Sequence, residues 1–195
     1  MKIEACALVG AKVRLVPLGA EHEGAVIREA LGSPEIWTHI PYAMRSEADV
    51  RARLAQAAAL REAGAGMVYV TELLASAEIV GGTSILVVDP RVPSFEIGAT
   101  WIVPQHQRTF VNSEAKYLQL CFAFETLKAA RVELKTDVRN ERSQAAIARI
   151  GARREGVLRS HMRREDGTLR DSVLFSLVDA DWPQAKHALE AKLAR

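Results

Sequence analysis

The chain has 195 residues, enough for one well-buried core, and the usual size of domains makes a single domain spanning 1–195 the expectation. Hydrophobic residues make up 49% and charged residues 26%, which excludes a disordered tail or a membrane-spanning chain and fits a soluble globular protein. The 26 basic side chains are offset by 24 acids to a net charge of +2, and acids interrupt the arginine-rich stretches 139–142 and 153–164, so no concentrated patch for nucleic acid is formed.

Residues 1–10 read as a loosely specified leader, without the apolar run and cleavage site of a secretory signal. A first strand follows over 13–17 and a helix over 21–31, broken at Pro34 and again at Pro41. Ser46 and Asp49 have the spacing of a capping box and open a strong helix with Val50, Leu54, Ala57, Ala58 and Leu60 on its apolar side. Beyond Gly64 to Gly66 the β-branched runs 67–74 and 79–88 read as strands, and Gly81-Gly82 inside the second marks a bulge or a close backbone approach. Residues 95–103 form the next strand; period-two alternation would put Glu96, Gly98 and Thr100 on one face and Ile97, Ala99 and Trp101 on the other. A helix over 112–128, apolar nearly all round, is expected to lie buried between layers. A strand over 132–138, a helix over 143–150 closed by Gly151, and an antiparallel pair 157–162 and 172–178 around Asp166-Gly167 come next, with a C-terminal helix over 180–194. This order predicts a mixed sheet with helices on both faces. Cys6 and Cys121 are far apart and lack metal-ligand spacing, so neither a disulfide nor a metal site is expected, and the chain reads as cytoplasmic.

The stretch 100–116 holds the strongest functional signal: an extended apolar segment, Pro104, a short polar loop, and a helix opened by Asn112 or Ser113. A helix start presents backbone N–H groups without intrahelical partners and about half a positive charge, which suits phosphate. Residues 137–143 repeat the layout one unit later, and two such junctions in tandem suggest a long polyanionic cofactor across the open ends of neighbouring strands.

Glu96-Ile97-Gly98-Ala99-Thr100-Trp101 resembles the GNAT superfamily of acyl-CoA-dependent N-acetyltransferases, as do Arg131-Val132-Glu133-Leu134, Asn140-Glu141-Arg142-Ser143, the run 150–159 and Arg170-Asp171-Ser172-Val173. The nearest branch is the one related to the ribosomal-protein alanine acetyltransferases (RimJ/RimL-like), and the resemblance covers about residues 13–182. It implies an α/β fold with a mixed, mostly antiparallel twisted sheet and helices on both faces. It also implies acetyl-CoA as cosubstrate without a metal, and direct attack by a primary amine, from a small molecule or a protein N-terminus, in a ternary complex. The alternative is a non-catalytic CoA-binding regulatory or sensor protein with the same fold. Neither nucleic acid nor membrane is expected as a partner, and a homodimer is left open.

The resemblance places the thioester against backbone N–H groups of Trp101, Ile102 and Val103, and the pyrophosphate over Gln107, Arg108, Thr109, Val111, Asn112 and Ser113. It places Asn140 beside the pantetheine arm and Ser143 near the departing sulfur, where a hydroxyl can protonate the thiolate. Glu96 is the candidate base for the ammonium proton, with Asp171 a second acidic candidate. Each has a plainer reading: Asn140 as a helix cap, Ser143 as a first-turn residue, Glu96 as a solvated carboxylate, Asp171 as a partner of Arg170 or Arg164. His39 and His161 titrate near neutrality and stay open as accessory groups, and Trp37, Tyr42 and Trp101 read either as an acceptor pocket or as core. The family's phosphate loop carries glycines, whereas 107–112 has none and Phe110 stands at a glycine position. Phe175 stands where many relatives carry tyrosine, so no tyrosine general acid is available there.

Overall fold

The computed structural model describes residues 3–40, 42–89, 91–164 and 166–194; Met1 and Lys2 of the expected leader, the second proline break at Pro41, and Arg195 lie outside the described residues. Eight strands form one sheet in the order β1-β2-β3-β4-β5-β6-β8-β7. They are β1 (Leu8–Val9), β2 (Val13–Pro17), β3 (Gly66–Leu73), β4 (Ile79–Asp89), β5 (Ser94–Ile102), β6 (Arg131–Asp137), β7 (Arg153–Arg163) and β8 (Leu169–Val178). Every pairing is antiparallel except β5 with β6. The helices are α1 (Glu23–Gly32), α2 (Glu47–Glu62), α3 (Phe110–Cys121), α4 (Glu141–Ala148) and α5 (Trp182–Leu193). No helix among the described residues is long and apolar enough to cross a membrane.

The capping box forms as its spacing predicts: the Asp49 N–H donates to Ser46 Oγ at 3.2 Å, and the Ser46 N–H donates to the Asp49 carboxylate at 2.9 Å. The leader, in contrast, is specified. Ile3 is buried with its N–H on the Gly64 carbonyl, and β1 pairs Leu8 with Leu15. A two-residue strand leaves no alternation to read. The final hairpin is also longer than expected, because β7 is an exposed edge strand whose polar residues carry no hydrophobic signal.

Strand β5 carries the main irregularity. Gly82 pairs with Trp101 and Ser84 with Gly98, so Ala99 and Thr100 together face Thr83, and Ala99 sits at φ +52°. This bulge breaks the expected alternation: beyond it Trp101 has the register of Gly98 and Glu96, while Thr100 turns to the opposite face. Trp101 then packs against Trp37, with ring centroids 5.7 Å apart, on the side of α1 and the 3-10 turn Pro34–Trp37. Gly81 and Gly82 admit that arrangement, since a side chain at Gly81 would collide with the Trp101 carbonyl and one at Gly82 with the Trp101 indole.

On the other face, α3 begins two residues before Asn112, with Thr109 as its cap, and closes in a π-turn over Phe122–Thr126. It is buried, as expected, but not apolar all round: Ser113, Glu114, Lys116 and Gln119 are all buried. The Glu114 carboxylate accepts the N–H groups of Ala11 and Lys12, tying α3 to the turn before β2. The Lys116 amine meets Thr83 Oγ1 at 3.0 Å, Thr100 Oγ1 at 2.6 Å and Gln119 Oε1 at 3.0 Å, and the Gln119 amide donates to the Ser84 carbonyl at 3.1 Å. This network locks the bulge of β5 onto α3. No carboxylate is among its members, and burial lowers the Lys116 pKa from 10.5 to about 7.

The unfolded chain therefore binds more protons at Lys116 than the native chain does between about pH 7 and the ordinary lysine range, so this group makes stability rise with pH there. Lys116→Met is expected to flatten that rise. Urea unfolding of both proteins at pH 7, 8 and 9 checks it; parallel pH dependences would remove the buried amine from the account.

Candidate functional site

Strands β5 and β6 pair in parallel only over Ser94↔Arg131, Phe95↔Val132 and Glu96↔Glu133. Past Glu96 they separate, β5 bending through its bulge, and each runs on to a loop that feeds a helix, α3 after β5 and α4 after β6. The result is a wedge open at the carboxyl ends of two parallel strands with a helix N-terminus on either side, the usual place for a ligand in such a sheet. Both expected junctions are therefore neighbours.

One wall of the wedge is the end of β5. The Val103 N–H donates to the Val80 carbonyl at 3.0 Å, so it is not free to polarise a thioester. Antiparallel pairs alternate between bonded and non-bonded, so Trp101, opposite Gly82, also turns its N–H to β4, and Ile102, opposite Gly81, turns its own toward the wedge. Of the three residues expected to present N–H groups, Ile102 is the one so oriented. The Ile102 carbonyl accepts the Gln107 amide at 2.8 Å, and Arg142 in the first turn of α4 donates to Gln107 Oε1 at 2.7 Å. Gln107 thus clips the two junctions together instead of offering its side chain to a phosphate.

The loop without glycines forms a regular helix start. Arg108 takes the left-handed conformation at φ +62°, Thr109 Oγ1 accepts the Val111 N–H at 3.3 Å, and the same hydroxyl donates to the His106 carbonyl at 2.7 Å. Thr109 is committed to capping, and Val111 is wholly buried with its N–H on that cap. Phe110 is partly exposed under the Lys12 amine, 5.0 Å from the ring centroid, so the residue at the glycine position leans outward. Ser113 is buried and Asn112 half-buried. The helix start, together with the exposed Arg108 and Arg142, supplies the positive end and cations that a pyrophosphate needs, so these residues fit the group.

Asn140 caps α4, its Oδ1 accepting the Ser143 N–H at 3.0 Å, which leaves its amide nitrogen as the part that can serve a ligand. Ser143 is half-buried in that first turn. Glu96 lies where β5 and β6 part. Its Oε2 accepts Lys135 Nζ at 2.8 Å, and Lys135 also meets Glu133 at 2.9 Å. Its Oε1 extends over Gly98 toward the bulge, close enough that a side chain at 98 would crowd it.

Asp171 pairs with neither Arg170 nor Arg164. Its carboxylate accepts the Ser160 N–H at 2.7 Å in a bulge of β7, and strand alternation puts it on the face opposite Arg170 and Ser172. Asp137 pairs across to Ser172, and its side chain is 1% exposed between Arg139 and Arg164. Burial would raise its carboxyl, but the Arg139 N–H and both guanidinium groups hold it at about 2. His161 shares a hydrogen bond with Ser172 Oγ at 3.1 Å, and burial and the charges of Lys135 and Arg170 lower its pKa against the pull of Glu96. His39, in the loop after the Pro34–Trp37 turn, has a buried Nδ1 with no hydrogen-bond partner, and burial lowers its pKa. Trp37 and Trp101 are core, whereas Tyr42 is half-buried beneath Arg53. Cys121 is half-buried with its thiol pushed up by burial, which suits no nucleophile. Phe175 is buried.

Sequence reasoning missed Lys116, Lys135 and Arg170. Lys135 was within reach, since Glu133 and Lys135 alternate with Val132 and Leu134; nothing local marks Lys116 or Arg170 as buried. No group of three or more metal-ligating side chains occurs among the described residues.

Residues 12–153 match the model of the acetyltransferase (GNAT) domain family. Among solved structures, a T. thermophilus protein provisionally assigned as an acetyltransferase is 36% identical, over 99% of this chain and 100% of that one, with a TM-score of 0.87. A GCN5-related N-acetyltransferase from Brucella melitensis is 27% identical over 99% of this chain and 87% of its own, with a TM-score of 0.89. Mycobacterium smegmatis RimJ, solved with CoA-disulfide, shares the fold at 23% identity and a TM-score of 0.82, over 98% of this chain and 93% of its own. No match was found among curated proteins. A wedge between two parallel strands, flanked by two helix starts, is thus joined to a family match over most of the chain, and the protein belongs to the GNAT acetyltransferases.

Proposed function

We propose that this chain transfers an acetyl group from acetyl-CoA to a primary amine by direct attack in a ternary complex, in the manner of the RimJ/RimL-like branch. The observation that carries the reading is the wedge between β5 and β6, with the α3 start on one side and the α4 start on the other. Acetyl-CoA supplies an activated thioester acyl group. The Ile102 N–H donates to the thioester oxygen as negative charge develops there. The α3 start with Arg108, and Arg142 across the wedge, hold the pyrophosphate, while the Asn140 amide nitrogen donates to the pantetheine arm. Glu96 removes the ammonium proton through Oε1, directly or through water, while Lys135 holds its Oε2. The Ser143 hydroxyl offers a proton to the departing thiolate and regains one from the attacking nitrogen, directly or through water, as the amide forms. The thiol of Cys121 takes no part, so no acyl-enzyme forms.

Acetyl-CoA is expected to raise Tm through preferential binding to the folded state. Absence of any shift at saturating cosubstrate, with no heat of binding, would refute the reading.

Asn140→Ala removes a cap worth about 1 kcal/mol, and is expected to weaken acetyl-CoA binding by more than that loss. Titration calorimetry beside urea unfolding separates the two. If stability falls and affinity holds, Asn140 is a cap and nothing more.

Glu96→Gln is expected to lower turnover roughly a hundredfold, most strongly at low pH where the acceptor is almost wholly ammonium. Its acetyl-CoA affinity should stay near that of the parent. A pH–rate profile matching the parent in shape and height would take Glu96 out of the mechanism.

A further inference from the structure

Arg170 is the unexplained charge of the cleft. It is 5% exposed, its buried Nε has no hydrogen-bond partner, and among the described residues its guanidinium makes no ion pair. It lies on β8 in register with Ser172 and Leu174, on the face that carries Lys135 and Asp137 of β6 and Glu96 of β5, the face of the wedge where Trp101 packs. The charges that reach it are already spent elsewhere. Asp137 is saturated by Arg139 and Arg164, and Glu96 is held by Lys135. Arg164 adds repulsion. The field of Arg170 reaches both His39, whose buried Nδ1 is likewise unpartnered, and His161.

A buried guanidinium cannot shed its proton, and five N–H donors in a fixed fork match a carboxylate. Left without an anion, it carries an uncompensated desolvation cost that a bound carboxylate would relieve. We propose that Arg170 receives a carboxylate on the acceptor, so that the acceptor class is a small amine bearing a carboxylate. The inference rests on the acetyl-transfer reading. It adds an orientation: the ammonium end of the acceptor lies toward Glu96 and the bulge, and the carboxylate end lies toward the β7–β8 edge of the same face.

The test follows CoA release by the full chain with acetyl-CoA and each of the twenty amino acids, then with the carboxamide and the decarboxylated amine of the fastest. A tripeptide with a free N-terminus and an amidated C-terminus is included. The free acid is expected to exceed its carboxamide in kcat/KM by about tenfold or more, since a site built for a polar group discriminates against the analogue lacking it. Arg170→Met should bring the acid-to-amide ratio near one, Arg170→Lys should leave an intermediate ratio, and both should keep the Tm rise with acetyl-CoA. Equal rates on acid and amide in the parent, or acetylation of the amidated tripeptide alone, would overturn the inference and leave acetyl transfer standing. No turnover with any amine would overturn both. A ratio unchanged in both variants would show that Arg170 does not read the carboxylate.

Discussion

The bulge of β5, fastened by Lys116, is the constraint on which the rest of the site depends. An inserted residue adds twist and turns a strand away from its neighbour. Here it lies just where parallel pairing with β6 stops, so the opening between the strands and the bulge belong to one distortion. That distortion costs hydrogen bonds and places Ala99 at a φ that only glycine adopts freely. The Lys116 amine offsets it from beneath by bonding Thr100 in the bulge and Thr83 opposite it, and Gln119 extends the link to the Ser84 carbonyl. Three oxygens match the three donors of an ammonium; a neutral amine keeps two donors and accepts one threonine hydroxyl on its lone pair, so the network stays satisfied in either protonation state.

The same economy governs the polar face. Acids and bases of β5, β6 and β7 pair along and across strands: Glu96 with Lys135, Lys135 with Glu133, Glu133 with Arg131, and Arg131 with Glu155. Such a ladder lets charged groups line a half-buried sheet surface, because each inner member's desolvation is offset by two neighbours. At its far end Asp137 is clamped by two arginines. Among the described residues Arg170 joins no ion pair, and that exclusion gives its position meaning. Ordinary surface arginines owe nothing to a partner; one that is 5% exposed does.

What was legible in the sequence follows what is local. The Ser46–Asp49 box, the Gly81-Gly82 approach and the Asp166-Gly167 turn are decided within a few residues, and each forms where its spacing puts it. The two strand-to-helix junctions were equally visible. The role of Asp171 was not, because it depends on a bulge in a neighbouring strand; nor was the face of Trp101, because alternation counts residues and a bulge adds one. Lys116 reads as a surface residue in any one-dimensional pattern. Its burial is set by β4 and β5 closing over α3, and no periodicity in the helix encodes that.

The glycine-free loop 107–112 shows how a departure from pattern can leave a helix start intact. Glycine favours such loops for two separate reasons: it tolerates positive φ, and it lets a ligand approach the backbone. The structure divides these demands. The left-handed position is Arg108, not Phe110, and a non-glycine residue there costs of order 1 kcal/mol. In return a guanidinium stands at the mouth of the helix. Approach is kept because Phe110 is the first helical residue, with its ring drawn aside beneath Lys12. Helix starts need free N–H groups and a cap, and Thr109 provides the cap through a hydroxyl anchored on the His106 carbonyl. A polar side chain has taken over the shaping of the loop, so the helix start persists without any glycine in 107–112.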